Sequence, residues 1–237
     1  MMSLVLEDVA VRYAGLPKPV LSIGRLEVAA GAQLAITGGS GSGKSTLVNV
    51  MTGLERLRQG RALWNSTDLS GLSEGARDRF RAAYIGLVMQ EFHLFSGLSA
   101  IDNILLPARL ARVVTPACVT RAHDLMQRFG LGRPDQAIET MSRGEMQRVA
   151  VARALLRKPG VIIADEPTAS LDAEAGAAVA DLLLDLAKSE GSTLIVVSHD
   201  ARLVERLPRR IELKNGEIVH DTGDFVGGIV GPRGDDA

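Results

Sequence analysis

The stretch "QLAITGGSGSGKSTLVNV", residues 33–50, constrains this chain more than any other. A short apolar run opens into a loop of glycine and serine, and a helical run follows. The spacing G-x-x-x-x-G-K-S puts Gly38, Gly43, Lys44 and Ser45 in its fixed positions, with Gly39, Ser40, Gly41 and Ser42 between and Thr46 after. Glycines let backbone N–H groups close around phosphate oxygens, and the helix that follows adds its positive end. Lys44 is placed to reach the β- and γ-phosphates, and the Ser45 hydroxyl to sit on Mg²⁺. The stretch therefore predicts a strand, a phosphate-cradling loop and a helix, the unit of an α/β fold that binds a nucleoside triphosphate.

Other segments fit a parallel sheet. "VIIAD" and "TLIVVSH" are continuous apolar runs, the pattern of strands buried on both faces. "AGAAVADLLLDLAKSEG" has helical periodicity and ends on a glycine stop. The early runs "LVLEDVAVRY" and "RLEVAA" alternate with turn residues, which suits a small antiparallel layer. The segment from about Ser96 to Arg153 reads as mainly helical, interrupted by Pro107, Pro116 and Pro134. From Gly223 onward, glycine and aspartate predict a loose tail. There is no internal repeat and no long linker.

Composition excludes several classes. With 237 residues, 46% of them hydrophobic, the chain can bury a sizeable core. A formal net charge of -1 argues against a general nucleic-acid binder, which carries a basic excess. The single cysteine, Cys118, cannot form an internal disulfide and fits a reducing compartment. The start "MMSLVLEDVAVRY" lacks the basic flank and apolar run of a signal peptide, and no stretch is long enough to span a bilayer. The expectation is a soluble chain whose membrane role, if any, comes through a partner.

Two further places carry chemistry. In "VIIADEP" the apolar strand ends on Asp165, where such sheets put their ligands, so Asp165 is the candidate Mg²⁺ ligand. Glu166 beside it is the candidate base for the attacking water, and His199 ends another buried strand in "VVSHD". In "MSRGEMQRVAVARA", Ser142 to Glu145 form an S-x-x-E capping box, a common helix start. Arg143 then falls at the first helical position, where the macrodipole disfavours a cation.

Taken in order, the phosphate loop, "MQEF", "SRGEMQRVAVARAL", "VIIADEPTASLD" and "SHD" resemble the ATP-binding subunit of ABC transporters over nearly the whole chain, from Tyr13 to about Val219. The resemblance implies a P-loop NTPase with a RecA-like core, an antiparallel β-subdomain and an α-helical signature subdomain. Its implied limits are residues 1–222 for the ATPase domain and about 91–155 for the helical part, with 223–237 a flexible tail. It implies ATP and Mg²⁺ as ligands, and two subunits paired head to tail with each ATP between one loop and the other copy's signature. "MSRGE" is then this chain's signature, and Ser142, Gly144 and Glu145 would face the γ-phosphate held by a second copy, making a homodimer. Tyr13 would stack under adenine. Gln90 would sense the γ-phosphate and Mg²⁺ and lead to the membrane subunit, and Asp172 would link the two sites.

The pattern departs from the family at Arg143, where a glycine is usual, and at Glu145, where a glutamine is usual. Glu145 is common in the lipoprotein-release and macrolide-export branch, and the sequence resembles the LolD, MacB and FtsE branch most. That branch implies an integral membrane permease of the MacB or FtsX kind, a place on the cytoplasmic face of the inner membrane, and export or extraction of lipophilic or lipoprotein cargo. Two alternatives are a regulatory, divisome-type ATPase and a soluble ABC ATPase; the latter usually has a coiled-coil insertion or a second cassette, which this sequence lacks. Two local readings stay open. Arg143 either meets the opposite triphosphate or points to solvent or a carboxylate, and "FHLF" (Phe92, Leu94, Phe95) is either partner surface or core.

Overall fold

The alternating runs at the amino terminus form β1 (Leu4–Val11) and β2 (Leu21–Val28), and β3 (Gln33–Thr37) and α1 (Lys44–Thr52) flank the glycine loop. Next come β4 (Arg61–Trp64), β5 (Thr67–Asp68), α2 (Glu74–Tyr84) and β6 (Ile85–Val88). Three helices follow: α3 (Ala100–Leu110), α4 (Pro116–Arg128) and α5 (Arg143–Leu155). The chain then runs through β7 (Val161–Asp165), α6 (Ala173–Glu190), β8 (Thr193–Val197), α7 (Ala201–Val204), β9 (Arg209–Lys214) and β10 (Glu217–Asp221). This computed structural model describes residues 1–223, so the tail expected from Gly223 onward lies, but for Gly223 itself, outside the described residues.

Two sheets result. One is antiparallel, in the order β2-β1-β4-β5; the other runs β10-β9-β3-β8-β7-β6. In the second, β6, β7, β8, β3 and β9 are parallel and β10 is an antiparallel edge. Period-two alternation divides its side chains between two cores. Ala35, Ile162, Ala164, Leu194 and Val196 face a core shared with α3, α4, α5 and α6. Leu34, Ile36, Ile163, Ile195 and Val197 face the opposite core, with α1 and the antiparallel sheet. This explains why the central strands read as unbroken apolar runs: both faces are covered. Trp64, fully buried, ties the layers by donating its indole N–H to Met51 O at 2.7 Å.

The α/β architecture with an antiparallel layer and a group of helices is as the sequence reading expects, but some details differ. Strand β2 starts at Leu21, ahead of the run "RLEVAA". Pro116 starts a helix rather than interrupting one: it is the first residue of α4, behind the Thr115 cap. Pro107 lies inside α3, where packing on α4 and α5 keeps the helix whole. Only Pro134 falls between helices.

Candidate nucleotide site

Strand register brings the site together. Ile36 of β3 is level with Val197 of β8, and Val197 with Asp165 of β7. Backbone bonds continue past the strand ends, from Ser198 N to Ile36 O (3.2 Å) and from Glu166 N to Val197 O (2.8 Å). The carboxyl ends of β3, β8 and β7 therefore present the glycine loop, Ser198 and His199, and Asp165 and Glu166 side by side. Gln90 lies exposed just beyond β6, the next strand along.

The loop's glycines are required for two different reasons. At Gly38 (φ 146°) a Cβ would sit 2.3 Å from Leu213 O, and at Gly43 (φ 101°) one would sit 2.9 Å from Val20 O. At Gly41 the space is open, but φ is 74°, which L side chains rarely adopt. Gly39 has neither constraint. The β9–β10 hairpin, turning at Asn215 and Gly216 (φ 51° and 81°), backs the loop: Gly216 N donates to Ser42 O at 2.9 Å. Helix α1 begins on Gly43 with no side-chain cap and no acidic residue in its first turn, so its N-terminal amides and dipole stay available to an anion. The Lys44 ammonium donates to Gly38 O (2.6 Å) and Gly39 O (2.8 Å), which uses two of its three hydrogens. Ser42 Oγ is buried without a partner.

Glu166 is the most constrained side chain of the site. It is 8% exposed and has φ 51°, a left-handed backbone that a glutamate adopts only where its surroundings impose it. Its Oε2 accepts from Ser198 Oγ (3.2 Å), and its Oε1 lies 2.7 Å from His199 Nδ1. A carboxylate offers no hydrogen, so Nδ1 donates, and Nε2 of the largely exposed imidazole is left as an acceptor. Each carboxylate oxygen keeps a second lone pair for water. Burial, and then the neighbouring Glu166 charge, raise the Asp165 carboxyl above its ordinary value; Lys44 pulls it the other way.

Tyr13, 42% exposed, donates its hydroxyl to Glu55 Oε2 at 3.0 Å and stands beside Thr46 in the first turn of α1. Burial first, then the bond to Glu55, raise its phenol. The Tyr13 hydroxyl is therefore held beside the first turn of α1 by a glutamate that the sequence did not single out.

The second helix start is built differently. Ser142 caps α5: its Oγ accepts from Glu145 N at 3.2 Å. Glu145 Oε2 accepts in return from Ser142 N (2.8 Å) and Ser142 Oγ (2.9 Å), and its Oε1 takes Arg133 Nη2 at 3.3 Å. Those bonds, the Ser142 backbone N–H first, lower the Glu145 carboxyl, so it stays an anion committed to its own cap. Ser142 is exposed, and Gly144 and Glu145 are both partly exposed. Gly144 lies where a Cβ would come 3.1 Å from Leu171 Cδ2, so α5 starts tight against the turn before Asp172. Asp172 caps α6 by accepting from Ala175 N at 2.8 Å.

Arg143 contacts neither solvent alone nor a carboxylate. Its guanidinium carbon lies 5.3 Å from the centre of the Phe92 ring, two residues after Gln90. Phe92 and Leu94 are half-buried while Phe95 is 56% exposed, so "FHLF" divides between packing and surface. Sequence reasoning missed Ser198, although it directly precedes His199. It also missed Arg153, which donates to Phe92 O and His93 O at 2.7 Å each from the far end of α5.

Comparison with known proteins gives the family. The family model described as ABC transporter matches residues 21–169. The "Lipoprotein-releasing system ATP-binding protein LolD" of Pseudomonas fluorescens is 40% identical over 201 residues, 84% of this chain and 88% of that protein. The "Macrolide export ATP-binding/permease protein MacB 1" of Aeromonas hydrophila subsp. hydrophila is 42% identical over 197 residues, 83% of this chain but 30% of that protein. Among solved structures, the ATP-binding cassette MJ0796, a dimer in a post-hydrolysis state bound to ADP and Pi, is similar with a TM-score of 0.85 and 30% identity, covering 92% of this chain and 97% of that one.

Proposed function

Because this chain belongs to the ABC transporter family and is an ATP-binding, ATP-hydrolysing subunit of it, we propose that two copies close on two ATP molecules and drive a membrane partner that extracts or exports lipoprotein or other lipophilic cargo. The observation that carries the reading is the convergence of the glycine loop, Asp165, Glu166 and His199 on adjacent strand ends, with the Ser142 helix start outside that cluster. The LolD relatives support lipoprotein cargo, and the MacB relative, an ATP-binding and permease protein in one chain, supports a membrane permease as partner. Among the described residues no helix is long and apolar enough to cross a membrane. A chain of this kind would work at the cytoplasmic face of the inner membrane, held there by that partner.

The chemistry follows from the residues. The loop amides and Lys44 bind the triphosphate and neutralise charge as it shifts toward the leaving ADP. Tyr13 offers an aromatic face to the base. Glu166 takes the proton of the attacking water, and Ser198 and His199 fix its carboxylate; with both ring nitrogens protonated, His199 would also donate from Nε2 to the γ-phosphate. Ser45, Asp165 and Gln90 would hold Mg²⁺, which would add positive charge beside the phosphates. The site fits that ion: Asp165 is a carboxyl kept uncomfortable by burial and by Glu166, which a cation would relieve. Ser142, Gly144 and Glu145 would meet the opposite copy's γ-phosphate, and Asp172 the opposite loop.

The test is kinetic. Glu166→Gln should bind ATP and turn it over at a rate lower by roughly 10²–10⁴-fold, the usual worth of a positioned base. Near-normal turnover would remove Glu166 from the role. Lys44→Ala should fail earlier, at binding. The partner is tested by purifying the tagged chain from detergent-solubilised membranes. Co-purification of a permease supports the reading, and its absence alongside full ATPase activity counts against it.

A further inference from the structure

The usual signature glycine is an arginine here, and its guanidinium lies against an aromatic ring instead of a carboxylate. We propose that Arg143 is a positioning residue of the composite ATPase site: by stacking on Phe92 it fastens the start of the signature helix α5 to the segment after Gln90. The proposal rests on the two-copy reading above and deepens it.

Three observations carry it. The Arg143 guanidinium carbon lies 5.3 Å from the centre of the Phe92 ring, within the range where a cation is attracted to a ring face. The same residue is held from the other end of the helix, where Arg153 donates to Phe92 O and His93 O, both at 2.7 Å. Burial lowers the Arg153 guanidinium, whose contacts are carbonyls, so that anchor works by directed hydrogen bonds. His93 has φ 47°, so the segment is bent into a shape that these two arginines grip at ring and backbone.

The consequence for the site is geometric. Ser142 and Gly144 flank Arg143 on either side, and Gly144 abuts Leu171 in the turn before Asp172. The helix start is therefore braced on one side by Phe92 and on the other by Leu171. An arginine at the first helical position works against the macrodipole, and the stack supplies an alternative partner for that charge. A glycine there would leave the brace on the Phe92 side to Arg153 alone. A partner that displaces the Phe92 ring would thus also shift Ser142 and Gly144, the groups placed to meet the opposite ATP.

The experiment uses all 237 residues of the chain. In the Glu166→Gln background, light scattering gives the ATP concentration at which half the protein is dimeric, for Arg143→Gln, Phe92→Leu, both together, and Phe92→Trp. Loss of one such contact should raise the ATP requirement roughly two- to fivefold. The expected result is that Arg143→Gln and Phe92→Leu raise it equally and the double variant raises it no further. Phe92→Trp, which keeps an aromatic face, should remain near the parent. These shifts should change little with salt. A silent Phe92→Leu with a strongly salt-dependent loss in Arg143→Gln would overturn the proposal, because Arg143 would then be touching phosphate directly. Multiplying effects in the double variant would also overturn it, because the two residues would be acting independently. If Glu166→Gln alone does not dimerise on ATP, the two-copy reading falls and takes the proposal with it.

Discussion

Asp165→Asn should stabilise the protein while disabling it. Asp165 ends β7 half-buried; burial and then the adjacent Glu166 charge raise its carboxyl, against a smaller pull from Lys44. A carboxyl with a raised pKa in the folded chain favours folding when protonated, and that contribution is lost as pH rises through the folded value. At neutral pH the folded chain therefore carries this charge at a cost, and an amide of the same shape removes it. Relieving a functional site of this kind yields about 0.5–2 kcal/mol, or roughly 1–8 °C in melting temperature for a domain of this size. The assay is thermal unfolding without nucleotide, at neutral pH and in mildly acid buffer. The gain should be largest at neutral pH and shrink as the wild-type carboxyl becomes protonated. The same variant should lose the extra stabilisation that Mg²⁺ with ATP gives the wild type. A lower melting temperature at neutral pH, or a gain that does not shrink in acid, would refute the electrostatic argument.

Asn103 is fully buried, accepts from Phe95 N at 2.8 Å and donates to Phe95 O and Ser99 O at 3.1 Å each. Asn103→Ala should cost about 2–4 kcal/mol, read as a lower denaturant midpoint, because it strands the Phe95 backbone groups. Gly38→Ala should abolish ATP binding in a titration, since its Cβ would fall 2.3 Å from Leu213 O, whereas Gly39→Ala should keep the wild-type melting temperature because nothing lies within 4 Å. Arg121 pairs with Glu190 at 2.6 Å and donates to Leu155 O and Leu156 O at 2.8 Å each, stapling α4 to the ends of α5 and α6. Arg121→Met should cost about 2–4 kcal/mol in the same unfolding assay, because Glu190, whose Oε2 already has no partner, loses the one on its Oε1.

What was legible in the sequence was what is local. The strand–loop–helix at Gly38 to Thr46 and the acids at the end of β7 can be read because spacing along the chain dictates where each group points. The capping box was equally plain, and the Arg133 contact to the same Glu145 was not, because it joins α5 to a loop ten residues before it. Helix α2 escaped because it buries only Arg77 and Phe80, too little for an apolar stripe to show. The Asn215-Gly216 turn is a hairpin signal in plain view, yet its place behind the phosphate loop depends on β9 pairing with β3, a contact between distant parts of the chain. Ser198 and the strained backbone of Glu166 follow from strand register, which no single segment encodes. Arg143 looked misplaced because its partner, Phe92, lies some fifty residues upstream.

The central claim is that the Ser142 helix start of one copy completes the ATP site of another. Light scattering and bound-nucleotide measurement on Glu166→Gln, with and without the added change Ser142→Arg, test it directly. Glu166→Gln should double its mass on adding ATP and hold one ATP per chain. With Ser142→Arg added, the chain should still bind ATP through its own loop and remain a monomer. ATP-driven dimers that persist in the doubly substituted chain, or loss of ATP binding by the monomer itself, would contradict a site shared between two copies.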